Sequence, residues 1–367
     1  MTAGICAAPD AADLDIAARH FFAAPLPTAV TPLGAAAGHS GSGFARVEVA
    51  GRAWCLCRWP PGFDRARLDF IHRALTRIRA GGFGGVPALA TTDAGGTFLD
   101  LGGRLYDAQE WVHGAPLDDR PDAADRSRPV ANAVRPVPTE TLNSLAAQLA
   151  RFHRSTADLR PSALAEQHPL DRQLSALSDD LAERCRVLEV AVRESARGAG
   201  RRVALDWLAM LPRAVALAER ALRVHPGAAQ SVSTTCHGDL WPRHVFMDGA
   251  RFGGFVDFER LAFSSPAFDL AQLVVHFNGW GSRAAVVDAY AAIAPLGDGD
   301  RAVLPAAAAL DLAGEGLWSL GELYGAGRGS QDGEERAPHG ANLRLLLVSL
   351  EAVLRELETG TEAAQHG

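Results

Sequence analysis

The feature that most constrains the fold is a change in hydrophobic spacing near residue 115. Before it, apolar residues come mainly in short strand-like runs, separated by Ala-Gly and Gly-Gly turns. After it, apolar residues recur mostly at helical spacing. The strand runs are 44–49, 53–59, 97–101 and 104–112, and a helical pattern at 64–80 interrupts them. The later helical patterns are 142–153, 170–196, 203–224, 266–277, 283–293, 302–325 and 340–358. This order predicts an α+β protein with a strand-rich first part and a helix-rich second part.

Composition excludes several classes of protein. The 367 residues are enough for about two domains or lobes, and a net charge of −7 argues against a broad nucleic-acid surface. No apolar run approaches the roughly 18 residues of a membrane helix, and the first 20 residues lack the pattern of a signal peptide. Five scattered cysteines indicate reduced thiols. We therefore expect a cytoplasmic protein with no membrane or nucleic-acid partner; the oligomeric state stays open.

The chain contains no lysine, so all 36 basic residues are arginine. This excludes every lysine-based mechanism, including Schiff bases and a lysine that grips phosphates. Any such role must belong to arginine, which is always charged and can contact phosphate oxygens in a bidentate way.

Candidate catalytic residues lie in TTCHGDLWPRHVF, residues 234–246. Asp239 is followed five residues later by His244, and Asp257 comes directly after the strand-like pair Phe255-Val256. Phosphoryl transfer needs a carboxylate near the attacking hydroxyl and a metal that bridges the phosphates. In protein kinases a catalytic Asp, a metal ligand five residues later and a metal-binding Asp after a strand occur in this order. The spacing therefore favours phosphoryl transfer.

These motifs resemble the aminoglycoside phosphotransferase and choline kinase-like family. The resemblance covers roughly residues 36–330 and rests on HGDLWP, VDFE, SPAFDLA, YDAQEWVHG and LARFH, at 237–242, 256–259, 265–271, 106–114 and 149–153. It implies a bilobal protein-kinase-like fold and ATP-dependent transfer of the γ-phosphate to a hydroxyl of a small molecule. A small antiparallel-sheet lobe with the glycine-rich loop and hinge would span 1–115. A mostly helical lobe would span 116–367, with the catalytic loop at 237–246 and the metal-binding segment at 255–260.

The resemblance also implies roles for single residues. Asp239 would orient or deprotonate the acceptor hydroxyl, Asp257 would bind Mg²⁺, and Arg58 would replace the phosphate-binding lysine. His244 would stand at the second metal position. The nucleotide would contact the glycine-rich turn, Arg58 and the hinge, and two further residues would support the catalytic loop. These are Gly41, Ser42, Gly43, Glu110 and Trp111 for the nucleotide, and His237 and Asp269 for the loop.

The chain departs from the family pattern in three places. His244 stands where the family usually has Asn, and Mg²⁺ prefers oxygen ligands. Either the second metal position is weak, or Mn²⁺ serves better, or catalysis is impaired; His244 could also be a buried histidine bonded to backbone. The helix at 64–80 has no Glu to pair with Arg58, and His72 lies near that position. The glycine-rich turn at 38–43 is irregular. A second hypothesis is therefore a catalytically impaired, kinase-like nucleotide- or ligand-binding protein.

Strand alternation predicts which side chains accompany Arg58. Trp54 and Leu56 should share its face of the strand, whereas Cys55 and Cys57 should point to the opposite face as core thiols. Arg58 itself is either the phosphate contact or a surface residue of the strand.

An acidic stripe on the helix at 302–325 is the candidate acceptor site. Asp311, Glu315 and Trp318 fall at i, i+4 and i+7, and such a stripe would suit a cationic alcohol. The alternative is a solvated acidic face. The adjacent stripe contains Gly314 and Gly321, which predict close helix packing.

Overall fold

The computed structural model describes residues 11–33, 42–117, 137–156, 169–195, 198–225, 234–325 and 333–366. The strands are β1 (Ala29–Pro32), β2 (Gly43–Val49), β3 (Arg52–Arg58), β4 (Phe98–Leu101), β5 (Arg104–Glu110), β6 (Ala115–Pro116), β7 (Thr234–Cys236), β8 (Val245–Asp248), β9 (Arg251–Phe255) and β10 (Ala262–Ser264). The first helices are α1 (Ala11–Phe21), α2 (Arg65–Ala80), α3 (Thr139–Arg154), α4 (Pro169–Ser178), α5 (Leu181–Ser195) and α6 (Gly198–Val224). The remaining helices are α7 (Ala267–Phe277), α8 (Arg283–Ala291), α9 (Asp298–Tyr324) and α10 (Gly333–His366).

The chain divides into two compact units. The first comprises residues 1–126 and 243–259, and the second comprises 127–242 and 260–367. The hairpin of β8 and β9 thus belongs to the first unit, although the sequence placed it in the helical part. The pairing of β8 with β6 explains this, because Ala115 lies opposite Met247 and Pro116 opposite Phe246. The predicted lobe boundary at residue 115 stays a prediction.

A five-stranded antiparallel sheet organises the first unit, in the order β1-β2-β3-β5-β4. One face packs on α1, where Leu14 and Phe21 join Val47, Leu56 and Tyr106 in a buried cluster. The opposite face carries Cys57 and its cross-strand neighbour Asp107. Asp107 contacts His72 of α2, so the two helices cover opposite faces of the sheet. The alternation predicted for β3 is confirmed.

Helix α2 forms as the sequence predicts. Asp64 caps its first turn by accepting a hydrogen bond from Ala66 N at 2.9 Å. Its apolar stripe is almost completely buried. The stripe consists of Leu68, Ile71, Leu75 and Ile78.

A smaller sheet, β6-β8-β9, positions the hairpin that leads to Asp257. Gly114 precedes β6 with a φ of +102°, and a Cβ there would lie 2.2 Å from the carbonyl oxygen of Met247. Only glycine fits, because both the backbone conformation and the close approach exclude a side chain.

The second unit is built from α3–α10 and the short antiparallel pair β7 and β10. Buried Trp207 of α6 donates a hydrogen bond to Leu343 O of α10 at 2.8 Å. A Cβ at Gly316 of α9 would lie 2.4 Å from the Trp207 ring. The close packing predicted for α9 therefore occurs at Gly316, whereas Gly321 faces open space. Trp207 decides this, and it lies 109 positions away in the chain.

The α+β class predicted from the sequence is confirmed. One local prediction needs correction, and one strand was not predicted. The helical pattern at 170–196 is two helices, α4 and α5, and Asp180 between them has a φ of +56°. Strand β1 had no clear sequence signal. Among the described helices, none combines the length and apolar character that a membrane crossing requires.

Candidate functional site

The loop at 237–242 follows β7 in the second unit, and hydrogen bonds from its backbone N–H groups hold it in place. The buried carboxylate of Asp269, on α7, accepts hydrogen bonds from His237 N at 2.7 Å and Gly238 N at 2.9 Å. His153 Nε2 lies 2.9 Å from Asp269 Oδ2, and His153 Nδ1 lies 2.8 Å from the hydroxyl of Tyr290. Both oxygens of Asp269 are therefore used inside the protein.

Hydrogen bonding outweighs burial at Asp269. Burial alone would raise the pKa of this carboxyl, but the bond and charge of His153, the charge of His237 and the Gly238 N–H hold the pKa below its ordinary value. Asp269 is thus an internal anion that fixes the loop. The support predicted for Asp269 is consistent with this geometry, and buried His237 contributes through its Nδ1, 3.3 Å from Asp239 N.

A tight backbone approach shapes the same loop. Gly238 has a φ of +81°, and a Cβ there would lie 2.3 Å from Arg260 O. The His-Gly-Asp order therefore has a steric reason, since only glycine permits this turn. Asp239 is largely buried, and its Oδ1 lies 3.8 Å from Arg260 Nη1.

Asp257 lies in the first unit, two residues beyond the end of β9, in a strained conformation. Its φ is +67°, which is uncommon for a residue other than glycine, and such strain is concentrated at functional sites. Its side chain is 43% exposed, and its Oδ2 lies 3.3 Å from Nε2 of buried His244. The backbone also joins the two positions, since Val256 N donates to His244 O at 3.0 Å.

The protonation of His244 suits a metal ligand. Arg243 Nε lies 3.1 Å from His244 Nε2 in a hydrogen bond. A guanidinium can only donate, so His244 Nε2 must present its lone pair. This nitrogen and a carboxylate oxygen of Asp257 are adjacent within the first unit. A divalent cation held by the pair would take the lone pair in place of the Arg243 N–H; Mn²⁺ accepts such a nitrogen more readily than Mg²⁺.

Arg58 and Cys57 lie on opposite faces of β3. Buried Arg58 lies opposite Tyr106 on the face that packs on α1; burial raises the pKa of Tyr106, and the charge of Arg58 partly offsets this rise. Cys57 lies on the other face, and the charge of Asp257 affects the pKa of its thiol. Burial first, and then carboxylates that include Asp107 and Asp257, hold the pKa of the Cys57 thiol well above its ordinary value. Alternation in the sequence separated the two faces but did not show which helix covers each of them.

At the position on α2 where the family pattern has a Glu, the chain has His72, which forms a buried pair with Asp107. His72 Nε2 lies 2.8 Å from Asp107 Oδ2, and His72 Nδ1 lies 2.8 Å from Thr97 Oγ1. Helix α2 contacts the segment at 255–260, where metal binding is predicted, through Arg67, whose Nη2 donates to Glu259 O at 2.8 Å. Sequence reasoning missed Arg67.

The other predicted nucleotide contacts are only partly described. Gly41 lies outside the described residues, Ser42 is half-buried, and Gly43 begins β2. At the hinge, Glu110 N donates to Ala88 O at 2.7 Å and Trp111 N to Ala53 O at 3.1 Å. These two N–H groups are therefore already used within the protein.

The predicted acceptor residues differ in their surroundings. Asp311 is buried and bonded to Gln272, whereas Trp318 is 43% exposed. Glu315 is half-buried, and burial first, with the charges of Asp311 and Asp239, raises its pKa to about 7. The structure thus brings Asp311 and Glu315 into the electrostatic surroundings of Asp239. It also shows two residues that sequence reasoning missed, Gln272 and His276; their only signal was polarity within the apolar run of α7.

Comparison with known proteins fits this geometry. A model of the phosphotransferase enzyme family matches residues 32–356. The search of curated proteins found no match. An aminoglycoside phosphotransferase from Alicyclobacillus acidocaldarius subsp. acidocaldarius DSM 446 is similar in structure, with a TM-score of 0.61 and 17% identity, covering 87% of this chain and 90% of that chain.

Two other solved structures are also similar. A microcompartment-associated aminopropanol kinase has a TM-score of 0.61 and 16% identity, covering 95% of this chain and 98% of that chain. A spectinomycin phosphotransferase, solved with ADP and its antibiotic, has a TM-score of 0.53 and 9% identity, covering 89% of this chain and 94% of that chain. At these identities the likeness shows the fold, and it confirms the predicted kinase-like architecture.

Proposed function

Since the chain belongs to the phosphotransferase enzyme family, we propose that it transfers the γ-phosphate of ATP to a hydroxyl group of a small molecule. The observation that carries the proposal is the loop of Asp239, whose flanking backbone N–H groups are fixed by buried side chains of α7. A carboxylate held in this way is preorganised to orient one hydroxyl, and orientation is a large part of catalysis in phosphoryl transfer.

In this proposal the residues have separate roles. Asp239 accepts the proton of the acceptor hydroxyl while the oxygen of that hydroxyl bonds to the γ-phosphorus. The bond between the γ-phosphorus and the bridging oxygen breaks, and ADP leaves. Asp257, with His244, would hold a divalent cation; when bound, it neutralises charge on the phosphates. Asp269 and His237 keep the loop in place.

The acceptor class follows from charge near Asp239. Glu315 and Asp311 lie on α9, and both influence His276 together with Asp239. An acceptor with an amino group beside its hydroxyl would complement these carboxylates. Two of the similar structures are named for amino-bearing acceptors, aminopropanol and aminoglycosides. We therefore propose an amino alcohol.

The first test replaces Asp239 by Asn and measures ATP consumption with a panel of amino alcohols, beginning with aminopropanol and spectinomycin. We expect kcat to fall by about 10²–10⁴-fold, the range of general-base catalysis, without a change in the unfolding midpoint. Asp248→Asn makes the same change in the exposed turn of the hairpin and should leave kcat unchanged. Undiminished turnover in Asp239→Asn would refute the assignment.

The second test measures ATP binding by calorimetry, with Mg²⁺ and then with Mn²⁺. Asp257→Ala should abolish the metal-dependent part of binding, and His244→Asn should shift the preference from Mn²⁺ toward Mg²⁺ because it supplies an oxygen ligand. Binding that is equal with and without metal in wild type would contradict the metal site.

The buried His72–Asp107 pair, at the position where the family pattern has a helix Glu, favours a second candidate, a nucleotide-binding protein that has lost catalysis. The discriminating result is metal-dependent ATP binding with no turnover across the whole acceptor panel.

A further inference from the structure

We infer that Gln272 is a positioning residue for Asp239, acting through the backbone of the loop; its effect on turnover rests on the function proposed above. Asp239 lies between two anchors on α7. Asp269 accepts from the N–H groups before it, and Gln272 Oε1 accepts from Leu240 N, directly after it, at 2.9 Å. The two anchors are three residues apart and so share one face of the helix.

The orientation of the Gln272 amide is determined by its partners. Its Nε2 donates to Asp311 Oδ1 at 2.9 Å and faces Gly238 O at 3.5 Å. The reversed amide would place its oxygen against that carboxylate and that carbonyl, and its NH₂ group against the Leu240 N–H. Every contact would then be mismatched, so only one orientation satisfies this buried network.

Asp311 is itself fixed by His276. His276 Nε2 lies 2.6 Å from Asp311 Oδ2, and the two side chains form an ion pair when the imidazole is protonated. Burial lowers the pKa of His276, yet the carboxylates of Asp311, Glu315 and Asp239 raise it above its ordinary value. The His276 ring stacks on Trp241 of the same loop, with 3.7 Å between ring centroids.

This geometry predicts a specific effect on catalysis. Without a suitable partner at position 272, the Leu240 N–H loses its acceptor and the loop relaxes beside Asp239. A displacement of about 1 Å at a reacting group can cost about 10²-fold in rate. Because the hydrogen bonds of the Gln272 side chain join the loop and Asp311, kcat should fall while the KM for ATP changes little.

The experiment exchanges the donor and the acceptor. Gln272→Glu places a carboxylate against Asp311, and kcat should fall by about 10–100-fold. Adding Asp311→Asn returns a donor to the pair and keeps the total charge of wild type. Because Asp311 is also proposed to lie at the acceptor site, the double variant is assessed by the exchange of the Leu240 amide and not by kcat. The Asp311 charge should raise the pKa of the introduced carboxyl, so the single variant should also recover at low pH, where that carboxyl is protonated and can donate.

Several outcomes would overturn the inference. They are a wild-type kcat in Gln272→Glu, exchange of the Leu240 amide that is no slower in the double variant than in the single, and equal losses in kcat and ATP affinity. Gln148→Glu makes the same change on α3, outside this network, and should have wild-type kcat. If Gln272→Glu does not fold, Gln272→Asn keeps the amide but is one methylene shorter, and the same kcat-against-KM split applies.

Amide exchange at Leu240 separates this inference from the proposed function. If wild type turns over no acceptor, the proposed function fails, and NMR exchange rates still decide the role of Gln272. Exchange of the Leu240 amide should accelerate in Gln272→Glu and slow again in the double variant. Unchanged protection in the single variant would overturn the positioning role.

Discussion

A buried His–Asp pair in the first unit and one in the second have nearly identical geometry and different consequences. His72 and Asp107 in the first unit are 2.8 Å apart, and His153 and Asp269 in the second are 2.9 Å apart. Asp269 uses both oxygens, for His153 and for two backbone N–H groups of the loop. Asp107 takes His72 and Gln109 on one oxygen, and within the described residues its Oδ1 accepts no hydrogen bond.

The difference shows that burial and pairing alone do not identify a functional carboxylate. The backbone N–H groups that bond to Asp269 belong to the segment carrying Asp239, so the Asp269 carboxylate fixes the conformation of that loop. Asp107 joins α2 to the sheet, and its Oδ1 lacks the compensation that a buried carboxylate oxygen needs. Asp269 should therefore be the more costly residue to remove.

The largest expected effect comes from deleting each carboxylate. Asp269→Ala should lower the free energy of unfolding by about 3–5 kcal/mol, because two N–H groups and a histidine lose their acceptor in a buried site. Asp107→Ala removes an equally buried group but a less satisfied one, so its cost should be about 1–3 kcal/mol. Urea unfolding measures both. Equal losses, or a larger loss for Asp107, would break the comparison.

Glu315 extends the comparison to a carboxyl whose pKa is shifted in the opposite direction from that of Asp269. Its pKa is raised to about 7 from 4.5, so the stability it contributes is complete below about pH 4.5 and is lost as pH rises through 7. Because it is only half-buried, we expect about 1–2 kcal/mol rather than the full value of the shift.

Glu315→Gln should therefore be more stable than wild type at pH 8 and nearly equal to it below pH 4.5. The measurement is urea unfolding at several pH values. A Gln variant that is less stable than wild type at pH 8 would show that the Glu315 charge is stabilising.

The smallest expected effect is on the slope of the free energy of unfolding against pH in the acid range. The pKa of Asp269 is lowered, so its stabilising contribution is present above its unfolded pKa of about 4 and is lost as pH falls through its folded pKa. One such group adds at most about 1.4 kcal/mol per pH unit to the slope. Asp269→Asn should have a flatter acid limb than wild type. Parallel acid limbs in the two proteins would place the acid sensitivity elsewhere.

Several features of the site could be predicted because they depend on neighbours in the chain. The turn at Gly238, the order of Asp239, His244 and Asp257, and the buried stripe of α2 all follow from local spacing. Arg58 shows the limit of this reasoning. Strand alternation separates its face from that of Cys57, but which helix covers each face depends on packing between distant segments.

Gln272 and His276 show the same limit in the second unit. Both are polar residues within an apolar helix, and nothing near them in the chain indicates a partner. Their roles depend on Asp311, which lies 39 and 35 positions further along. Gly316 is comparable, since the ring of Trp207 decides which glycine of α9 must remain glycine.

The sequence by itself determined the α+β class, the position of the loop and the chemistry that its carboxylates favour, because periodicity and short motifs are local properties. Tertiary structure decided which face Arg58 occupies, which carboxylates lie near Asp239 and which side chains hold its loop. These depend on contacts between residues far apart in the chain, and a buried polar group takes its role from the partners that surround it.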